Sequence, residues 1–426
     1  MKKTTLIIVL SLAVAGMVFA GGSKDTATKD GKIVLNVLGY GDNANSEGQT
    51  FMRIVSEFES EYPNIDINEE MLYDQAYHQK VTARLASGDV PDVAYMGSDS
   101  RWGAPWDEAG QHVDMKEELV KSGMYDLDKI GPDNSKGEYF YVPHGTANYC
   151  TPMYVNTELL KKYGFSVPTK YADLKAMVSK AKADGIDVLG IHGADAWAWG
   201  SCLFSTILAQ TTGDENWVSK AVAGEKTFSD PDFVAAYSFL KTMVDDGVLS
   251  PDSVLVDDGT GKSNFSAGKY ICYMDGQWGA GGFSLERQEA MVMIPFPEVP
   301  GAKGNINTLA AAKQVGYGYT QKCVDEGKVD AAMKFINYFN SAAEVTQRLR
   351  DGAITGTVLK DYTMPDDMPT VVILKNSLSQ YKITPVIDSI LSGTANDTLL
   401  IGCQKVVTGQ LSPEAAAKAI DVELNR

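Results

Sequence analysis

The chain has 426 residues, 44% of them hydrophobic and 22% charged, with a formal net charge of −17 at pH 7. That length exceeds one ordinary core and is suited to two lobes or domains. The acidic balance excludes nucleic acid and anionic membrane as partners, because both are bound through clustered cations.

In chain order, Lys2 and Lys3 precede the apolar run "LIIVLSLAVAGMVF", and Val18-Phe19-Ala20 offers small residues for cleavage. Residues 1–20 read as a signal peptide, too short and too poorly flanked for a membrane span. No cysteine follows in "GGSKD", so no lipid anchor is expected there. Residues 32–39 are a β-rich apolar run. Phe51, Ile54, Val55, Phe58 and Tyr62 then recur at helical spacing until Pro63 stops them. A strand over 64–70, a helix over 77–86 and a strand over 91–97 complete a strand–helix alternation that predicts βαβ units on a mostly parallel sheet. The alternation resumes with a strand at 149–156, helices at 157–164 and 169–183, and a strand at 188–193. A helix at 233–244, a strand at 269–275 and a helix at 331–339 follow. Residues 341–426 read as almost wholly helical, with Ser412 as N-cap and Pro413 at the first helical position of the last helix. The five cysteines, odd in number and without a CxxC pair, are expected as buried free thiols. Four histidines without ligand spacing argue against a zinc site.

Two motifs mislead. "GTGKSN" (259–264) contains the GKS of a phosphate-binding loop, but Val256 stands where that loop needs glycine, and Asp257 and Asp258 would repel the anion. "DLDKIGPDNSKGE" (126–138) faintly suggests a calcium loop, yet Ile130 occupies a liganding position. GxSxG and HExxH are both absent.

What recurs is aromatic, amide and carboxylate side chains on loops just after strands, where open α/β sheets bind ligands. Tyr40, Asp42 and Asn43 follow the first strand, and Ser98, Asp99, Arg101 and Trp102 follow the third. His144, Thr146 and Tyr149 come next, then Asp195, Trp197 and Trp199. "GKYICYMDGQWGAGGF" (268–283) adds Asp275, Gln277 and Trp278 among glycines. Trp197 and Trp199, two apart on an extended segment, would share a face, so one of them is expected at a ligand. Trp217 is expected in the core. His144 is either structural or ligand-facing, and Arg101 either pairs on the surface or holds an anionic group. The chemistry fits a neutral polyhydroxylated molecule. Flat rings cover the C–H faces of a pyranose, and Asp, Asn and Gln meet its hydroxyl rim. Few nucleophiles or poised bases accompany them, which favours binding over catalysis.

"FMRIVSEFESEYPNIDI", "KVTARLASGDVPDVAYM", "MYVNTELLKKYGFSVPTKYADLKAM" and "FSAGKYICYMDGQWGAGG", in this order, resemble the solute-binding proteins of ABC sugar importers, the maltose-binding-like family. The resemblance spans nearly the whole chain beyond the signal peptide. It implies an α/β fold of two interwoven lobes with a ligand cleft between them and hinge segments near Pro143–Ala147, Pro295–Pro300 and Asn340–Ala343. The first lobe would combine 22–143 with 300–340, and the second 144–299 with 341–426. By the same analogy the ligand positions are Tyr40, Asp42, Asn43, Ser98, Asp99, His144, Thr146, Trp197 or Trp199, Asp275, Gln277 and Trp278. Arg101 joins them from the residue reading, and "GYGYT" and "DGAITGT" add Tyr317 and Thr355. The implied role is capture of a mono- or oligosaccharide by a monomeric periplasmic protein without cofactor or metal. Delivery would be to membrane permease subunits driven by a cognate ATPase. The rival readings are a secreted carbohydrate-active enzyme and a binding protein for a polyamine, peptide or glycerol phosphate.

Overall fold

The computed structural model describes residues 28–29, 31–43, 46–354 and 356–425. The expected signal peptide and Thr355 lie outside them. The first lobe is built on the strand Lys32–Tyr40, which pairs in parallel with Ile65–Leu72 on one side and Val93–Met96 on the other. The sheet continues antiparallel through Gly316–Tyr319 to Val142–Pro143. Alternation along Lys32–Tyr40 turns Leu35 and Val37 inward. The helix Ser46–Glu61 covers the sheet with Phe51, Ile54, Val55 and Phe58, the residues whose spacing predicts it, and ends two residues before Pro63.

The second lobe holds a mixed sheet in the order Met291–Ile294, Met153–Asn156, Tyr270–Met274, Asp187–Ile191. Asn156 ends its strand by accepting hydrogen bonds from the N–H groups of Glu158 and Leu159, so one residue closes the strand and caps the helix Thr157–Tyr163. Trp199, Phe204, Trp217, Phe233 and Tyr237 form the aromatic centre of this lobe. All five cysteines are buried and unpaired.

A separate three-stranded sheet joins the lobes. Asn148–Thr151 pairs antiparallel with Thr308–Lys313, which pairs in parallel with Lys382–Pro385. The first of these strands leads from Val142–Pro143 in one lobe to Met153–Asn156 in the other. The expected hinge at Asn340–Ala343 does not coincide with a strand of this sheet. Ser341 instead caps the helix Ala342–Arg350, which stays on the first lobe through an Arg53–Glu344 ion pair of 2.6 Å and the burial of Val345 and Leu349. Leu359 also bridges to Tyr125 of that lobe. The expectation of almost continuous helix after 341 fails for the same reason. Residues 351–354 and 356–369 are irregular apart from that bridge, and Lys382–Pro385 is a strand.

The chain ends in two helices, Gly393–Val407 and Pro413–Glu423, stacked on Pro231–Asp245. Ser412 Oγ accepts from the Ala415 N–H, the cap expected from sequence. Asp421, 2% exposed, accepts from the backbone N–H groups of Phe228 and Ser229 at 2.7 and 2.9 Å. Replacing it leaves those donors buried without a partner. Asp421→Ala is therefore expected to lower unfolding stability by about 2–3 kcal/mol in urea titration, while leaving ligand affinity unchanged because the site is remote from the cleft.

Candidate ligand-binding cleft

The strand ends of both lobes converge on a chamber of about 190 Å³. From the first lobe, Tyr40 leaves the end of its strand and stacks on Tyr95, with ring centroids 5.3 Å apart and planes 9° from parallel. Trp102 meets Tyr40 edge-on at 5.2 Å. Asp99 shapes the loop that carries Trp102, because its Oδ1 accepts from the N–H groups of Arg101 and Trp102 at 3.0 and 2.7 Å. Burial, opposed by the Trp102 N–H and reinforced by nearby Asp388, pushes Asp99 up to about 7.

The second lobe presents Trp278 and Trp197, beside Tyr149 of the linking sheet. Trp278 lies 5.4 Å from Tyr149 and 5.9 Å from Trp197. The glycines around Trp278 answer to contacts that a β-carbon would block. At Gly276 it would fall 2.2 Å from the Trp278 ring, at Gly279 2.0 Å from Asp275 Oδ2, and at Gly282 2.9 Å from the Lys262 stem. The turn is thus bare because an indole, a carboxylate and a lysine chain all cross it. Arg101, Trp102, Asp195 and Trp197 also line a larger space of about 570 Å³, so the two cavities adjoin along one cleft.

Asp275 does not reach the chamber. It is fully buried beneath it, with His192 Nε2 3.4 Å from its Oδ1, the Gly276 N–H donating at 2.6 Å and Lys262 Nζ 3.9 Å from its Oδ2. The other imidazole nitrogen of His192 lies 3.1 Å from Asp195. Burial opposes charge on His192, but the flanking carboxylates outweigh it and hold the imidazolium well above the usual histidine range. Burial likewise opposes charge on Asp275, and His192 overrides it and keeps the acid ionised. His192, Cys202 and Asp275 bring three metal-capable atoms within 4.8 Å of one another. The neighbouring Lys262 ammonium and the full burial of all three leave neither the charge nor the entry path a cation needs.

Of the other residues singled out from sequence, Tyr40, Arg101, His144, Trp197 and Trp278 line the chamber. Trp199 does not. Residues 196–204 are helical rather than extended, so the two indoles diverge, and Trp199 is fully buried with its Nε1–H donating to the Gly193 carbonyl at 2.8 Å. Tyr317 is core, 5.2 Å behind Tyr95 and 4.8 Å from Phe339. Gln277 is buried and accepts from the Cys150 thiol. Asp42, Asn43, Ser98 and Thr146 sit beside the cleft but do not line the chamber. Asn43 is exposed and its carbonyl accepts from Gln49, Ser98 Oγ lies 3.4 Å from the Tyr141 hydroxyl, and Thr146 bonds the Asn148 carbonyl. Sequence reasoning missed Glu47, Tyr95, Asp258, Lys262 and Asp388 on the wall. Lys262 lies in the discounted "GKS", where it pairs with Asp258 at 2.8 Å. Tyr95 lies inside a strand that reads as plain core.

The profile of the bacterial extracellular solute-binding protein family matches residues 41–346. The chain belongs to this family. It is 22% identical to the multiple sugar-binding protein of Streptococcus mutans over 80% of this chain and 79% of that protein. Among solved structures, a chitin oligosaccharide binding protein superposes with a TM-score of 0.78 at 21% identity, covering 91% of this chain and 98% of the other. A maltose-bound MalE3 from T. maritima gives 0.72 at 20%, covering 92% and 99%. A sugar transporter of Bacillus licheniformis in complex with stachyose gives 0.71 at 17%, covering 92% and 99%. The fold is thus the two-lobe α/β fold of solute-binding proteins. Among the described residues no helix is long and apolar enough to cross a membrane.

The His192 charge has a pH signature. Its proton is held in the folded state and lost from the unfolded chain above pH ~6.5, so its contribution to stability is full below that value and declines as pH rises. Between pH 6.5 and 8, wild type is expected to lose about 1 kcal/mol per pH unit more than His192→Gln in urea unfolding.

Proposed function

We propose that the protein is the carbohydrate-capturing component of an ABC importer, closing its lobes over a neutral mono- or oligosaccharide. It then presents the sugar to membrane permease subunits driven by a cognate ATPase. The observation that carries this reading is the pairing of Tyr40, Tyr95 and Trp102 on one lobe against Trp197 and Trp278 on the other, with Tyr149 of the linking sheet beside them, around one chamber. Two flat apolar walls with carboxylates and amides at their edges match the two faces and the hydroxyl rim of a pyranose. The hinge, in this reading, is the three-stranded sheet of Asn148–Thr151, Thr308–Lys313 and Lys382–Pro385. This puts the third crossing at Lys382–Pro385 rather than at Asn340–Ala343. The protein acts as a monomer in the periplasm.

Charge separates this reading from its rivals. Glu47, Asp195, Asp258 and Asp388 outnumber Arg101 and Lys262 on the chamber wall. Arg101 and Lys262 are already engaged with Asp388 and Asp258. A uronate or a glycerol phosphate would meet a negative surplus. The same surplus favours a polyamine as the second reading. The aromatic walls and the sugar ligands of the structural neighbours support the sugar. Among the described residues, the one Cys–His–Asp grouping is buried under the floor, which supports binding without turnover.

The test is a thermal-shift screen with maltotriose, chitotriose, stachyose, a uronate trisaccharide, glycerol 3-phosphate and spermidine, since a ligand that binds only the native state raises its melting point. A neutral sugar is expected to give the largest shift and to be recovered unchanged after prolonged incubation. A larger shift with spermidine or glycerol 3-phosphate, or cleavage of the sugar, overturns the reading. Trp278→Ala is expected to weaken binding of that sugar by roughly tenfold or more in calorimetry.

A further inference from the structure

We propose that Asp388 is a ligand acceptor placed where the lobes meet, so that one residue reads both occupancy and closure. The inference rests on the sugar-capture reading above. Asp388 lies on the short turn Ile387–Ser389, directly after the crossing strand Lys382–Pro385. It lines the inner chamber with Tyr149 and Trp278 yet is only 3% exposed.

Its two carboxylate oxygens are treated differently. Oδ2 accepts from the Ser201 hydroxyl at 2.6 Å and lies 3.7 Å from Arg101 Nη1 of the first lobe. Oδ1 is buried without a hydrogen-bond partner in the protein. A buried carboxylate oxygen left in that state is costly and calls for a donor. The cover over Asp388 comes from the opposite lobe. Ser100 donates from Oγ to the Asp388 carbonyl at 3.1 Å and from its N–H to the Ser389 carbonyl at 3.2 Å.

Parting the lobes removes Ser100 and Arg101 and uncovers Oδ1 at the chamber wall. A sugar hydroxyl then supplies the missing donor, while Ser201 holds the carboxylate in place. Closure returns Arg101 to Oδ2 and Ser100 to the backbone of the same turn. A ligand hydroxyl and the first lobe are therefore bound through one residue, and the closed form gains a contact that the open form lacks. An anionic ligand group at this position would face the carboxylate directly, which makes Asp388 a determinant of selectivity as well as of affinity.

The experiment is calorimetry on wild type, Asp388→Asn and Ser201→Ala. The probes are whichever of maltotriose, chitotriose or stachyose shifts the wild-type melting point most, and a galacturonate trisaccharide as the anionic comparison. Asp388→Asn is expected to weaken the neutral sugar by roughly tenfold or more and to narrow its preference over the uronate. A purely structural role would not narrow that preference. Neutral-sugar affinity within threefold of wild type, with the preference unchanged, overturns the role of Asp388 and leaves the sugar reading standing. A wild type that binds none of the three neutral sugars overturns both. If Asp388→Asn does not fold, Ser201→Ala decides, because it releases the carboxylate without removing it. Weakening beyond about threefold supports the proposal, and unchanged affinity overturns it.

Discussion

His192 stands between Asp275 and Asp195 in the floor of the second lobe, and the wall above is hung from its two partners. Trp278 follows Asp275 by three residues, and Trp197 follows Asp195 by two. The His192 ring itself lies 5.0 Å from Trp197. A buried imidazolium is tolerable only beside carboxylates, and the fully buried Asp275 only beside the imidazolium. The triad therefore fixes the ends of two separate chain segments relative to each other, and with them the angle between the two indoles. Asp275 serves the ligand indirectly, by setting where the Trp278 turn begins. The glycines complete the arrangement, since a side chain at 276 or 279 would displace the ring or the acid it is meant to hold.

This rigid wall explains why capture needs a second lobe. Trp278, Trp197 and Tyr149 can cover only one face of a ring. The opposite face falls to Tyr40, Tyr95 and Trp102, which are fixed to a different sheet by their own stacking and by Tyr317 behind them. Neither lobe alone encloses the chamber. A ligand that touches both walls stabilises only the geometry in which both are present, which is the condition for ligand-driven closure. Three short paired strands between the lobes are a suitable pivot, because they form a sheet separate from those of the two lobes.

Much of the fold was legible because its signals are local. Helical spacing of Phe51, Ile54, Val55 and Phe58, the stop at Pro63 and the Ser412 cap each need only a few residues. Trp278 was legible for the same reason, since an indole on a glycine-rich turn after a buried strand has little else to do. What was not legible depends on partners far apart in the chain. Asp275 reads as a ligand group until His192 is placed beside it, and the stretch from 341 reads as second lobe until Glu344 is found 2.6 Å from Arg53. Lys262 was set aside together with the phosphate motif, although the lysine itself reaches the wall. Trp197 and Trp199 were read on an extended segment, and the helical turn there sends one outward and the other into the core.

The central claim is that the two aromatic walls belong to lobes that move relative to each other and are brought together by the ligand. Small-angle X-ray scattering on the free protein and on its complex with the tightest-binding sugar tests this most directly. The account predicts a smaller radius of gyration and a shorter maximum dimension in the complex. A saturating ligand that leaves the scattering curve unchanged would contradict it.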